Sequence, residues 1–582
     1  MKKYIAILAA VLTLAGCNSL KDGDYTLTVM TTGDVHGRWF DSDYVSGATN
    51  SSLFSINHYA DSIRTAVGEE NFILIDAGDC LQGDNASYYF NYVDTLSPHL
   101  YPRLAKYMEY DVITVGNHDV ETGHGVYDRV RDELESYGIP FLGGNAIRTD
   151  NGEPYFKLYT ILRKNGLKVA IIGFTNANMK AWLNESIWSG MDFLSLVPYV
   201  QEQVDKVIAK EKPDVVIVST HSGTGNGDGS MLESQGLDLY NSLKNVDLLL
   251  GSHDHRPYSV SNGSLSYVDV GNNARNFGLC EINVKVEGGK VVSKSSGSKV
   301  CPADITEIDL AMKEYFKEDF EAVKAFTMRK VGELKTDLSM AESFVGMCDY
   351  MNMLHTVCLG CEPAEISIAA PLSMDSRIKA GTLIYNDMFS LYRYENMLFV
   401  VRMSGQEIKD FLEYSYDMWI QTATSPSDHV LRIAPRPDPR YGTERWSFER
   451  ASYNFDSAAG INYTVDVTKN YGDRIAISTM ADGTPFDLGK TYNVAMTSYR
   501  ASGGGETMVK GAGIDTANID ERVVNKYPAI RDLIYDFIAE KGEIGSEQMY
   551  DPAINGSWKF IPENIAGPAL KKDFSLMFGE RR

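Results

Sequence analysis

The chain has 582 residues, 55 Lys and Arg against 78 Asp and Glu, a formal net charge of −23 and 44% hydrophobic residues. That length predicts roughly two to four domains with ample buried core, and the composition excludes global disorder and coiled coil. The acidic balance argues against a protein that tracks DNA or RNA, whose backbones are held by clustered Lys and Arg; a small anionic substrate stays compatible with it where a metal ion reverses the local field.

In chain order, Lys2 and Lys3 precede an apolar run from Tyr4 to Ala15 that ends in Leu14-Ala15-Gly16-Cys17. The run is shorter than the ~20 residues a spanning helix needs and predicts a secretory signal over residues 1–16. Its ending resembles a bacterial lipobox, which implies acylation of the Cys17 thiol and an exported lipoprotein of the periplasm or cell envelope. Membrane contact is expected through that anchor alone. The six other cysteines are too sparse for a disulfide framework, and Cys358-x-x-Cys361 has no second pair at zinc spacing, so it reads as a structural feature at a helix end.

From 25 to 300 one pattern repeats: a short β-branched run ending in polar residues. Tyr25–Thr32 runs into Gly33-Asp34-Val35-His36, Asn71–Ala77 into Gly78-Asp79, and Asp111–Val115 into Gly116-Asn117-His118-Asp119. Asp214–Thr220 then runs into His221, and Val246–Leu250 into Gly251-Ser252-His253-Asp254-His255. Continuous apolar runs separated by helical stretches predict buried strands of an α/β sheet. Loops at the carboxyl ends of such strands converge on one crevice.

Asp oxygens, His nitrogens and an Asn carbonyl suit borderline divalent metals such as Mn, Zn or Co better than Ca or Mg. The candidate ligands Asp34, His36, Asp79, Asn117, His221, His253 and His255 are too many for one tetrahedral ion and fit two ions sharing a carboxylate. Ions ~3.5–4 Å apart clamp attacking and leaving oxygens and lower the pKa of water. The Gly-rich stretch 223–229 lacks both the spacing and the Lys of a phosphate-binding loop and reads as a loop beside His221.

The series Gly-Asp-Val-His, Gly-Asp-Cys-Leu-Gln-Gly (78–83), Gly-Asn-His-Asp (116–119), His-Ser-Gly (221–223) and Ser-His-Asp-His (252–255) resembles the calcineurin-like metallophosphatases, in particular their exported 5'-nucleotidase family. The resemblance implies a two-sheet sandwich flanked by helices over 25–300. It also implies one ion on Asp34, His36, Asp79 and His255, and a second on Asp79, Asn117, His221 and His253. His118 matches the family's catalytic histidine. Two departures stand out: Ser252 replaces a usual Gly, and the acidic partner of His118 is either Glu121 or Asp119.

Residues 302–333, with Ile308, Met312, Phe316, Phe320 and Val323 at helical spacing, predict a linking helix. The resemblance continues over 334–577 as an α/β nucleoside-binding domain of the 5'-nucleotidase type. It rests on Ile368-Ala369-Ala370-Pro371, Leu391-Tyr392-Arg393-Tyr394-Glu395-Asn396, Tyr453-Asn454-Phe455-Asp456 and Ser498-Tyr499-Arg500-Ala501-Ser502-Gly503-Gly504-Gly505. These stretches are closest to the branch acting on 2',3'-cyclic nucleotides and 3'-nucleotides, and they imply that Tyr394 and Tyr499 sandwich the base, with Asn396 and Glu506 as further substrate contacts. The expected protein is a two-metal nucleotide phosphoesterase. A 5'-nucleotidase or nucleotide-sugar hydrolase, a non-catalytic nucleoside-binding lipoprotein and a sulfur-compound hydrolase are the alternatives. Oligomeric state is open at this stage.

Overall fold

The computed structural model describes residues 20–183, 185–374, 376–392, 396–438 and 443–579. The expected signal 1–16 and lipid anchor Cys17 lie outside the described residues. The chain forms two compact units, one ending at Val323 and the other beginning at Lys324. No helix among the described residues is long and apolar enough to cross a membrane.

The strands of the first unit are β1 (Gly23–Thr32), β2 (Phe72–Asp76), β3 (Val112–Thr114), β4 (Phe141–Leu142), β5 (Ala146–Arg148), β6 (Tyr159–Lys164), β7 (Leu167–Phe174), β8 (Met191–Phe193), β9 (Val215–Thr220), β10 (Leu248–Gly251), β11 (Pro257–Ser261), β12 (Ser266–Val270), β13 (Asn276–Glu287) and β14 (Lys290–Pro302). Two six-stranded sheets result, in the orders β14-β13-β1-β2-β3-β4 and β11-β12-β10-β9-β7-β6, while β5 and β8 pair separately. β1 to β4 run parallel, as do β7, β9, β10 and β12.

Alternation along the strands builds the layers. Ile73 and Ile75 of β2 share the core between the sheets with Val29, Val169, Ile171, Val215 and Ile217. Phe72 and Leu74, one residue out of phase, pack with Phe54 and Leu104 of the helices Leu53–Val67 and Leu100–Met108. On the second sheet Val216 and Val218 meet Val200 and Val204 of the helix Leu196–Glu211. Burial on both faces explains the unbroken apolar runs, and each such side chain contributes ~1.5–3 kcal/mol. The expected helix-flanked sandwich is present.

The stretch 302–333 is not one helix. β14 ends it at one side and a strand Lys330–Leu334 begins at the other, with the short helices Leu310–Tyr315 and Lys317–Thr327 between. The Asp309 carboxylate accepts from the amides of Ala311 and Met312, so the first helix starts there, and Phe316 breaks the helical conformation with φ −99° and ψ 16°. The apolar stripe does pack: Met312, Phe316 and Val323 belong to the core of the first unit.

The second unit is built on a five-stranded sheet in the order Ser457–Ala459, Ile366–Ala369, Thr491–Thr497, Met397–Ser404, Val523–Ala529. Ile366–Ala369 and Thr491–Thr497 are parallel neighbours. Helix Gly405–Trp419 covers the sheet with Ile408, Phe411, Leu412 and Trp419 in its core. Helix Asp349–Leu359 carries Cys358 near its end, with Cys361 just beyond; both thiols are buried and free of disulfides.

Candidate functional site

Asp34 and His36 follow β1, Asp79 follows β2, Asn117 follows β3, His221 follows β9, and His253 and His255 follow β10. The ligand atoms of Asp34, His36 and His255 lie within 4.8 Å of one another, as do those of Asp79, His221 and His253. The two groups adjoin, with His221 Nε2 at 3.0 Å from Asp79 Oδ2 and 3.8 Å from Asp34 Oδ1. Asn117 Oδ1 lies 2.8 Å from His253 Nδ1. All seven candidate ligands are therefore brought to one place.

The loops holding them are strained and tightly tied. Asp34, His36, Asp79, His253 and His255 have φ of 48°, 50°, 62°, 96° and 59°, a region non-glycine residues enter only where surroundings over-determine it. The Asp119 carboxylate accepts from four backbone amides, those of Asp79, Cys80, Leu81 and Gly116, at 2.8–3.0 Å. It thereby fixes the loop that presents Asp79. Gly116 permits this approach, because a Cβ there would sit 2.0 Å from Asp79 Oδ1. Asp34 Oδ2 accepts from Ser252 Oγ at 2.5 Å and from the His253 amide at 2.7 Å.

This donor set fits divalent cations. Asp34 Oδ1, Asp79 Oδ2 and His221 Nε2 are buried without a hydrogen-bond partner, and such orphans demand a reason. His221 Nδ1 donates to the Ala77 carbonyl at 2.8 Å and His36 Nδ1 to the Gln82 carbonyl at 3.0 Å, so each Nε2 faces the carboxylates; burial opposes a charge on His221, but the Asp79 carboxylate pushes its pKa up to about 10, so a bound ion would take the place of its Nε2 proton. Burial drives His36 and His253 down to about 3, the neutral form a metal needs. Burial opposes ionisation of Asp79, yet His221 and His118 hold its carboxyl well below the usual carboxylate range.

His118 Nδ1 lies 2.6 Å from Glu121 Oε2, and the His118 amide donates to Asp79 Oδ1 at 2.8 Å. Burial alone would lower the imidazole pKa, but the Asp79 and Glu121 carboxylates push it up to about 9. Of the two acidic neighbours, Glu121 therefore meets the ring, and Asp119, its oxygens occupied by backbone amides, does not. Sequence reasoning missed two contacts here. The Ser252 hydroxyl stands on Asp34, where the sequence shows only a departure from Gly, and the Trp182 ring stacks on His253 with centroids 5.4 Å apart and planes at 24°.

In the second unit a cavity of about 310 Å³ opens where the parallel strands Ile366–Ala369 and Thr491–Thr497 end, with Asn396, Tyr453, Asp456, Tyr499 and Arg500 in its wall. Arg500, 3% exposed, donates to Asp456, Asn454, the Gly504 carbonyl and the Tyr453 carbonyl at 2.7–3.2 Å. The Tyr499 ring, 40% exposed, lies over Gly504, where a Cβ would come within 2.4 Å of it. Only glycine fits beneath the ring. Tyr394 lies outside the described residues. Glu506 is not in the cavity wall; its own φ of 62° takes its carboxylate to Lys510 at 2.6 Å and to the Tyr414 hydroxyl at 3.4 Å.

Strand-end Asp, His and Asn ligands on a two-sheet sandwich define a metal-dependent phosphoesterase, and residues 27–257 match the family model described as calcineurin-like phosphoesterase. Residues 330–511 match that of the 5'-nucleotidase C-terminal domain. With both on one chain, the protein belongs to the 5'-nucleotidase family of calcineurin-like metallophosphatases. It is 23% identical over 605 residues to the 2',3'-cyclic-nucleotide 2'-phosphodiesterase/3'-nucleotidase of Haemophilus influenzae, covering 93% of this chain and 88% of that one. It is likewise 23% identical over 626 residues to the trifunctional nucleotide phosphoesterase YfkN of Bacillus subtilis, covering 95% of this chain but only 40% of that longer protein. A Staphylococcus aureus structure assigned as a 5'-nucleotidase shares the fold with TM-score 0.72 at 19% identity, covering 92% of this chain and 99% of that one.

Proposed function

We propose that the protein is an exported, lipid-anchored nucleotide phosphoesterase acting on 2',3'-cyclic nucleotides and 3'-nucleotides, with residues 25–300 as metal domain, 302–333 as connection and 334–577 as nucleoside-binding domain. The observation that carries this reading is the pairing on one chain of an Asp/His cluster with orphaned ligand atoms and a cavity faced by Tyr499. The Haemophilus influenzae relative's name supports the substrate class.

Asp34, His36, Asp79 and His255 would hold one divalent ion and Asp79, Asn117, His221 and His253 the other, with Mn, Zn or Co as the ions that suit such donors. When bound, such ions supply Lewis-acid charge and a nucleophile at neutral pH. The Glu121 carboxylate accepts the Nδ1–H hydrogen bond of His118 and fixes the ring, so Nε2 is the atom that would carry a proton to the phosphoryl or leaving oxygen. Asp119 acts at one remove by setting the Asp79 loop. Tyr499 gives the base a stacking face, worth ~1–3 kcal/mol and tolerant of base identity, with Asn396 beside it and Tyr394 as the expected second ring.

The test is phosphate release by chelated protein reloaded with Mn, Zn or Co, offered 2',3'-cyclic AMP, 3'-AMP, 5'-AMP and UDP-glucose. The first two should show the highest kcat/KM. The match to the 5'-nucleotidase C-terminal domain favours one second reading, a 5'-nucleotidase, and fastest release from 5'-AMP would establish that instead. Nucleoside binding without any release would make the protein a binding lipoprotein.

A further inference from the structure

The imidazoles of the ligand cluster are not all aimed in the same way. His221 and His36 each place Nδ1 on a backbone carbonyl, which fixes the ring and turns Nε2 toward the carboxylates. His253 is turned the other way: its Nδ1 lies 2.8 Å from Asn117 Oδ1, and an ion held by both atoms would displace the proton that joins them. No hydrogen bond from the described residues reaches its Nε2. With an ion in place, no polar group of the protein would therefore orient this ring. The torsion that turns a histidine ring is broad, so an imidazole without such a contact is free to swing. His253 also has the largest φ, 96°, of the five candidate ligands in the left-handed region.

What meets the ring is Trp182. The sheet order β10-β9-β7, with all three strands parallel, sets the carboxyl end of β7 two strands from that of β10. The chain leaving β7 turns where the Asn178 amide donates to the Asn176 side chain at 2.9 Å, then enters the short helix Met179–Trp182. Met179 is fully buried in the core of the first unit and pins that helix. Trp182 then lies nearly parallel over one face of the His253 imidazole, while the His221 ring meets the same imidazole edge-on, with centroids 5.5 Å apart and planes at 75°. Both are preferred geometries for aromatic pairs at this separation, and together they restrict the swing of the ring between them.

We propose that Trp182 is a positioning residue for the divalent ion of Asp79, Asn117, His221 and His253. Its indole face holds the His253 imidazole with Nδ1 toward that ion, the part that backbone carbonyls play for His221 and His36. The proposal rests on the cluster binding two divalent ions. Chelated wild type, Trp182→Phe and Trp182→Ala should be titrated calorimetrically with Mn(II), and with Co(II) while tryptophan fluorescence is followed. Trp182→Ala should weaken one Mn(II) by at least about tenfold and leave the other within about twofold, whereas Trp182→Phe, which keeps a flat face, should stay within about threefold at both; tenfold is the lower end of the loss on removing an orienting contact. Co(II) should quench the wild-type fluorescence by a larger fraction than that of Trp182→Phe, because the indole lies against a ligand of the ion. Unchanged affinities in the Ala variant, equal losses at both ions, a Phe variant as impaired as the Ala variant, or equal fractional quenching in wild type and Trp182→Phe would each overturn the inference while leaving the metal reading intact. A wild type that binds no Mn(II) would remove the metal reading, and this inference with it.

Discussion

Five of the seven candidate metal ligands in the first unit hold a left-handed backbone, whereas none of the described residues lining the second unit's cavity does. Orphaned atoms occur in both regions. At the ligand cluster they are atoms of Asp34, Asp79 and His221, while in the cavity wall they include Asp456 Oδ2, whose neighbour Arg500 is itself bonded at each of its nitrogens. The first region is held in a costly arrangement that cations would relieve, and the second is an ordinary packed wall with room left in it. The two regions are thus built by different physical means, and each can be disturbed alone.

The largest effect should come from the first region. Asp79→Asn removes the carboxylate common to both ligand sets while keeping its shape. Phosphate release should fall by on the order of 10³-fold or more, as it does when one member of a catalytic unit is lost. Nucleoside affinity should be kept, and turnover within tenfold of wild type would refute the shared-ligand role. Arg500→Met attacks the second region. It leaves Asp456 buried without its partner, at 3.0 Å from the guanidinium in the intact protein, and breaking such a pair costs about 3–5 kcal/mol. Denaturation should show that loss in the second unit's transition. The double change Arg500→Met with Asp456→Leu should recover most of it, and a single variant as stable as wild type would show the wall is not held by this pair.

A subtler change tests whether strain in the first region is tuned by its surroundings. Ser252→Ala deletes the hydroxyl that donates to Asp34 Oδ2 at 2.5 Å. Removal of such an orienting contact lowers metal affinity by about 10–100-fold, which titration of chelated protein with Mn(II) would read directly. An unchanged affinity would mean that the His253 amide alone suffices to aim Asp34.

How much of this was legible in the sequence follows from the range of the forces involved. The seven candidate ligands could be picked out because each follows a strand within a few residues, so local pattern placed them at the carboxyl ends of strands in the two sheets. Ser252 could not be valued, since its partner Asp34 lies 218 residues away. Asp119 and Glu121 were indistinguishable as partners of His118, because Asp119 spends its oxygens on backbone amides that no side-chain pattern reveals. The stripe Met312, Phe316 and Val323 correctly signalled packing, but a single Asp309 cap and a break at Phe316 decided that two helices carry it. The second unit's cavity is lined largely by apolar side chains whose sequence signature is that of any core.

The smallest expected effect tests a buried group beneath the second unit's sheet. His355 is buried, with Nδ1 at 2.9 Å from Ser367 Oγ and Nε2 at 3.2 Å from Ser457 Oγ. Burial lowers its pKa from 6.5 to about 3. The unfolded chain therefore takes up this proton first as the pH drops, so the stability contributed by the neutral ring is complete above pH 6.5 and is lost progressively toward pH 3. Between pH 6.5 and 5.5 the loss from this one group should be about 1 kcal/mol. His355→Gln keeps a donor and an acceptor for the two serines but cannot titrate, so the second unit's denaturation midpoint should fall less steeply with acid than the wild type's. If the two midpoints fall in parallel across that interval, the buried imidazole is not the group that couples this unit's stability to pH, and the contrast with the charged first region sharpens further.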